Sequence, residues 1–241
     1  MPLSANRRDA WLGRARATWN DRAPEWDAMS EANATTTDRA ADIARIAAAL
    51  DLHSGSTVLD AGCGTGQFAL AFAELGCAVT ANDLAPEMLD RARAHAAARD
   101  LTVDWRLGDL SRLDIPDAAF DAVHARASLQ FTPDLAAALA ELRRVLRLGH
   151  PLLASVPGAL SPIYGRSWRR FIEPDRTAVS YVTPWELETL LEHLGWEIVD
   201  GWGNYSTDLA GNPAVLTAAD VAALPRRLQQ ATSTLWTVIA R

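Results

Sequence analysis

Val58-Leu59-Asp60-Ala61-Gly62-Cys63-Gly64-Thr65-Gly66 decides how this chain folds. An apolar, β-branched run ends in an acid and a glycine-rich turn follows at once. Gln67-Phe68-Ala69-Leu70-Ala71-Phe72-Ala73 then continues with helical spacing. Glycines let the backbone turn sharply and let a ligand come close to the main chain. Between a strand and a helix, such a turn aims backbone N–H groups and the helix dipole at an anionic group. A second apolar strand, Ala78-Val79-Thr80-Ala81, runs to Asp83, 23 residues after Asp60. An acid at that distance, on the tip of the second strand, is placed to accept two hydrogen bonds from a ribose diol.

Spacing separates two nucleoside chemistries. A dinucleotide fingerprint reads G-x-G-x-x-G and cradles a pyrophosphate. Here Gly62, Gly64 and Gly66 alternate, and Asp60 stands two residues before the first of them. A carboxylate so close repels a pyrophosphate but suits a ligand with a cationic end, such as an ammonium group. On these residues the chain resembles the class I S-adenosylmethionine-dependent methyltransferases, whose first motif Asp60-Ala61-Gly62-Cys63-Gly64-Thr65-Gly66 matches almost letter for letter. Ala81-Asn82-Asp83-Leu84-Ala85-Pro86-Glu87-Met88-Leu89 looks like that family's second motif. Gly108-Asp109-Leu110 is similar to the segment after its third strand, and Phe120 to Arg126 to its fourth. Leu142 to Ala154 resembles its helix, turn and fifth strand. The matches run from Ser54 to Gly158 in the expected order, closest to the small-molecule enzymes related to ubiquinone and menaquinone methylation.

The resemblance implies a role for each matching residue. Asp60 sits by the cofactor's amino group, Gly62, Gly64 and Gly66 form the turn, and Asp83 takes the ribose. Leu84 and Met88 flank adenine, while Asp109 and Leu110 meet its polar edge. Ala125 approaches the methionine end through its carbonyl. From its own place just past the strand, Arg126 reads either as holding the cofactor's carboxylate or an acidic substrate, or as a surface salt bridge. The implied cofactor is S-adenosyl-L-methionine. His124 reads as a hydrogen-bonded core residue, because strand alternation sets its face. Cys63 reads as a small residue packed under the turn. No catalytic side chain is named, since methyl transfer needs collinear reactants and exclusion of water before it needs a base.

Bulk properties narrow the choice further. With 241 residues, 49% hydrophobic and 22% charged, the chain suits one large α/β domain. A formal charge of −7 disfavours nucleic acid as a partner, leaving a small-molecule acceptor. No apolar run approaches the ~20 residues that span a bilayer, so no membrane association is expected. The arginine-rich N-terminus lacks the apolar stretch of a signal peptide, which reads as cytoplasmic. Cys63 and Cys77 supply no metal-ligand set, and no metal is expected. Every one of the 23 basic residues is arginine, which excludes a lysine base or Schiff base.

Residues 1–35 place Trp11, Trp19 and Trp26 near one helical face and read as a helical lid, with Trp26 closing over the cofactor. Residues 36–241 read as the methyltransferase domain. Strands are expected near 57–61, 78–82, 102–107, 120–125 and 151–156, with helices near 36–50, 66–75, 86–98 and 134–147. A proline- and glycine-punctuated insertion, 157–183, reads as an acceptor cap, with Tyr164, Trp168 and Tyr181 as candidate acceptor contacts. Thr183-Pro184-Trp185-Glu186 starts a helix, and segments at 196–199 and 234–239 read as two last strands. The expected fold is α/β: a Rossmann-like, doubly wound, mostly parallel seven-stranded sheet with its last strand antiparallel. The expected activity is methyl transfer to oxygen or nitrogen of a small organic acceptor. The alternatives are a non-catalytic S-adenosylmethionine-binding module and an NAD-dependent oxidoreductase. Asp60, the glycine spacing and the missing Tyr-x-x-x-Lys pair argue against the last.

Overall fold

The computed structural model describes residues 5–34, 37–173, 178–205 and 218–241. Seven strands form one sheet: β1 (Thr57–Ala61), β2 (Ala78–Asp83), β3 (Asp104–Leu107), β4 (Ala122–Arg126), β5 (Leu152–Val156), β6 (Ile198–Asn204) and β7 (Leu235–Ala240). Their order is β3-β2-β1-β4-β5-β7-β6, with β7 antiparallel to both of its neighbours and the remaining pairs parallel. This is the expected doubly wound sheet, and it reverses direction between β1 and β4, where ligands of such folds bind.

Helices cover both faces. On one side α2 (Thr37–Ala49), α3 (Gln67–Glu74) and α4 (Pro86–Ala98) bury Ile46, Leu70, Phe72 and Ala96 against Val58, Val79 and Ala122. On the other, α5 (Leu135–Val145) and α7 (Pro184–His193) bury Leu139, Leu142, Leu187 and Leu191 against Leu59, Val123 and Ala154. Local chemistry sets the starts. Pro86 opens α4, Asp134 accepts the Ala137 N–H at the head of α5 (3.0 Å), and Glu186 reaches back to the Thr183 N–H before α7 (2.7 Å).

The N-terminal segment is one 30-residue helix, α1 (Ala5–Ala34), in line with the helical reading of residues 1–35, and Pro24 lies on its exposed side. Other features depart from the sequence reading, and β3 and β4 each start two residues later than expected. The insertion is not all loop: it holds a 3-10 turn at Pro162–Arg166 and a short helix α6 (Arg169–Ile172), while its residues 174–177 lie outside the described ones. The sixth strand starts two residues later and runs to Asn204, because it pairs along β7 rather than ending with its apolar run. Helices α8 (Ala218–Ala222) and α9 (Arg226–Thr232), which no periodic apolar stretch announced, precede β7.

At the amino ends of β1 and β4, Asp121 accepts from the Thr57 N–H (2.8 Å) and hydroxyl (2.7 Å) and pairs with Arg147. The Thr57 backbone bond leads in holding its carboxyl down to about 2, against burial that would raise it. A depressed carboxyl contributes stability above its ordinary range and loses it as pH falls toward the folded value. Asp121→Asn is therefore expected to lower the melting temperature at neutral pH. Its deficit against the wild type shrinks by about pH 2.5, which thermal unfolding across acid pH will check.

Candidate active site

The glycine turn takes its shape from three strands at once. Gly62, Gly64 and Gly66 all have positive φ, +81°, +56° and +84°. Gly62 runs so close to the residues after β4 that a Cβ there would lie 2.2 Å from Ser128 Cβ. The N–H groups of Gly62 and Cys63 donate to the Asn82 carbonyl of β2 (2.8 and 2.9 Å), and Gly66 N–H donates to Cys63 O (3.0 Å). Gly64 N–H donates to Asp83 Oδ2 (2.8 Å), and Asp83 Oδ1 accepts from Ala85 N–H (2.9 Å). The anion in this turn is thus the protein's own carboxylate. A pyrophosphate finds these four donors engaged and a negative charge in its place. Burial, with Asp60 nearby adding to it, pushes the Asp83 carboxyl up despite those N–H bonds.

A cleft of about 310 Å3 opens at the carboxyl ends of β1, β2 and β4 beneath α1. Trp26, Asp60, Gly62, Gly64, Asp83, Leu84, Met88, Asp109, Leu110 and Arg126 border it. Gly66 and Ala125 do not. Gly66 begins α3, where a Cβ would meet Trp105 (2.9 Å) and Ala92 (3.0 Å), so its reason is helix–strand packing. The Ala125 side chain is wholly buried in the core on the α5 side.

Tyr164, Trp168 and Tyr181 also lie away from the cleft. The Tyr164 hydroxyl donates to Val182 O, its ring stands 5.7 Å from Tyr181, and Trp168 is half exposed. They form the insertion's own contacts. The insertion meets the rim of the cleft through Ser180 instead, whose N–H donates to Gln130 O (2.6 Å) and whose hydroxyl donates to Thr132 O (2.9 Å).

The cleft has chemically distinct ends. Leu84, Met88 and Leu110 make an apolar slot beside Asp83. Asp109 borders it too, with its carboxylate engaged by Arg8 of α1 and by the Ser111 N–H and hydroxyl. At the opposite end stand Asp60, Arg39 of α2 and Arg126. Both guanidiniums lie over the Phe68 ring, at 4.9 and 5.2 Å, and Arg126 pairs with Asp42 (2.8 Å). Burial, and the like charge of Arg39, lower the Arg126 pKa despite Asp42. Arg39 and Arg126 bring cationic side chains for a carboxylate to this end, while Asp60 offers a negative partner for an ammonium. Among the described residues, Asp60 Oδ2, Asn82 Oδ1 and Arg126 Nη1 are buried without a hydrogen-bond partner. Orphaned polar atoms around one cleft signal a polar ligand. Their arrangement fits a nucleoside joined to a zwitterionic amino acid.

Arg39, Phe68 and Phe131 are site residues that the sequence reading missed. Arg39 stands on a helix recognised only as a helix, and nothing in its spacing ties it to the strand tips. Cys63 borders the cleft as well. Burial, Asp83 and Asp60 hold its thiol well above the ordinary range, so it stays a thiol and not a nucleophile.

Helix α1 closes the cleft from above with Leu12, Trp19, Trp26 and Ser30. Trp19 packs edge-on against Trp26 (5.5 Å) and Phe131 (4.8 Å), contacts worth ~0.5–1.5 kcal/mol each beyond burial. The Trp26 indole nitrogen sits 3.3 Å from where a Gly64 Cβ would stand. Trp11 N–H donates to Phe131 O (3.1 Å), and Asp27 binds Arg91 (3.2 Å) and His95 (2.8 Å) of α4. Burial raises the Asp27 carboxyl, but His95 and Arg91 outweigh it and the net shift is downward. Asp27→Asn is accordingly expected to speed amide exchange through the second half of α1 about tenfold at neutral pH, with the β1 and β4 amides unchanged. Exchange mass spectrometry reads this directly.

Residues 59–153 match the family model of a methyltransferase domain. A malonyl-[acyl-carrier protein] O-methyltransferase of Serratia marcescens is 39% identical over 149 residues, 61% of this chain and 56% of that protein. A demethylmenaquinone methyltransferase of Deinococcus radiodurans is 36% identical over 154 residues, 63% and 64% of the two chains. The chain spans a little over half the length of the first of these relatives. In fold it resembles an S-adenosylmethionine-dependent methyltransferase of Mesorhizobium loti, with TM-score 0.61, 20% identity, and 86% and 98% of the two chains covered.

Proposed function

We propose that this chain is a class I S-adenosylmethionine-dependent methyltransferase, an enzyme that methylates an oxygen atom of a small, partly apolar acceptor. The observation that carries this reading is the Asp83 carboxylate seated on the Gly64 N–H (2.8 Å), which leaves the turn no place for a phosphate and presents an acid to a ribose diol. S-adenosylmethionine supplies an electrophilic methyl group on a sulfonium. Asp60 faces its ammonium, Arg126 and Arg39 its carboxylate, Asp83 its ribose, and Leu84, Met88 and Leu110 its adenine. The relatives that are named O-methyltransferases support oxygen as the acceptor atom.

The protein's work is to align and to dry the site. Trp19, Trp26 and Phe131 wall the cleft on the α1 side with rings that exclude water, and an aromatic face near a sulfonium adds cation–π attraction of ~0.5–2 kcal/mol. In this proposal α1 is the lid, which opens for exchange of cofactor and product. The insertion caps the acceptor end, acting at the rim through Ser180 and Thr132. The formal charge of −7 favours a small acceptor over a nucleic acid. No described helix is long and apolar enough to cross a membrane, and a cytoplasmic location is part of the proposal.

Calorimetry with S-adenosylmethionine, S-adenosylhomocysteine and NAD tests the reading. Both sulfur ligands are expected to bind, and Asp83→Ala to weaken them about tenfold to a hundredfold, since hydrogen bonds to a charged group are worth ~1.5–3 kcal/mol. Binding of NAD alone would sink the proposal. A screen of small hydroxylated and carboxylic acceptors with labelled cofactor then separates an enzyme from a binding module.

A further inference from the structure

His124 stands directly across from Asp60 in the β1–β4 register and points to the same face of the sheet. Its Nδ1 lies 2.8 Å from Asp60 Oδ1, and the two side chains are 1% and 3% exposed. An ionised carboxylate only accepts, so Nδ1 carries the proton of this bond. The ring is clamped by Phe68 at 4.8 Å and, edge-on, by Phe72 at 5.3 Å. Among the described residues, neither His124 Nε2 nor Asp60 Oδ2 has a hydrogen-bond partner, and both residues border the cleft. One carboxylate oxygen is held by the imidazole. The other is left for a ligand.

We propose that His124 is a positioning residue for the cofactor's ammonium group and that it makes cofactor binding proton-linked. The proposal rests on the cofactor reading given above. Neutral His124 fixes the Asp60 carboxylate through Nδ1–H, and the pair keeps one negative charge toward the cleft. A proton on Nε2 cancels that charge. The imidazolium and the ammonium then compete for a single carboxylate where little water screens them. Binding of the cofactor expels the proton, so affinity falls on acidification.

Other charged groups around the pair do not imitate this behaviour. Arg126 on β4 and Arg39 on α2, which share the Phe68 ring, stay cationic, and Asp42 lies against Arg126 rather than against His124. β5 presents Leu153 beside His124, and α3 packs Phe68 and Phe72 against its ring. The Cys63 thiol, near Asp60, stays neutral. Asp83, held upward by burial, adds a pH dependence of its own that does not depend on residue 124. Variants at 124 therefore isolate the histidine.

The test is calorimetric titration of the full chain with S-adenosylhomocysteine from about pH 8 to about pH 5.5, for wild type, His124→Asn and His124→Leu. Asparagine keeps a donor near the Nδ1 position and cannot titrate. At about pH 8, His124→Asn is expected to bind within about threefold of wild type and His124→Leu about tenfold more weakly. Toward about pH 5.5, wild type is expected to lose about tenfold more affinity than His124→Asn, and to release a proton on binding in buffers of different ionisation enthalpy. Identical pH profiles for wild type and His124→Asn overturn the proposal, as does full-strength binding by a folded His124→Leu. If His124→Leu does not fold, the asparagine profile alone decides. Failure of wild type to bind at any pH overturns the cofactor reading and this proposal with it.

Discussion

The seating of the Asp83 carboxylate in the glycine turn is the interaction on which the site depends. It joins the loop after β1 to the tip of β2 and to the first residue before α4, because one oxygen takes Gly64 N–H and the other Ala85 N–H. Gly62 closes the third side by passing against Ser128 after β4, and Ser128 returns a hydroxyl bond to Ala61 O (2.7 Å). Three strands are thus locked at the point where the sheet reverses. A buried carboxylate is costly unless it is hydrogen-bonded, and here the bonds that satisfy it are the bonds that shape the turn. Its remaining lone pairs face the cleft.

That arrangement explains how one glycine-rich turn serves a nucleoside without serving a phosphate. In a dinucleotide fold the N–H groups of the turn remain open for a pyrophosphate. Here Asn82 O, Cys63 O and Asp83 take those of Gly62, Cys63, Gly64 and Gly66. What borders the cleft instead is an acid at each of two strand tips, with Arg39 and Arg126 beyond. The lining runs from Asp83 and its apolar slot to Asp60 and Arg126, with aromatic rings of α1 above.

Helix α1 is a second layer built on this one. Its buried positions, Ala15, Ala23, Asp27 and Ser30, and the half-buried Trp19 recur at helical spacing, and Ala23 packs on Ala85 and Met88. The same strip that gives the helix something to pack on also roofs the cleft. Much of its attachment is polar: Arg8 on Asp109, Asp27 on Arg91 and His95, Trp11 on Phe131 O. Such bonds exchange readily with water, and their net worth is modest, ~0.5–1.5 kcal/mol for a typical bond.

The amino-acid sequence by itself determined the alternation of strands and helices from Thr57 to Val156, because β1, β2, β4 and β5 are short, largely apolar runs and helices such as α4 and α5 carry their own start signals, Pro86 and Asp134. It also determined the acids and glycines of the turn, since their chemistry is local and their spacing is short. Strands ended where local pattern said, except β6, whose length comes from its partner β7. What only the tertiary structure decided are meetings between residues far apart in the chain. Arg39 joins Arg126 over Phe68, His124 takes one oxygen of Asp60, and Arg8 reaches Asp109 across 101 positions. Tyr164, Trp168 and Tyr181 looked suited to an acceptor wall by composition, yet they pack within the insertion. Gly66 matched a motif, yet it lies off the cleft at the head of α3, against Trp105 and Ala92. Periodicity reports the face a side chain takes on its own element, whereas the neighbour it meets there is set by the fold as a whole.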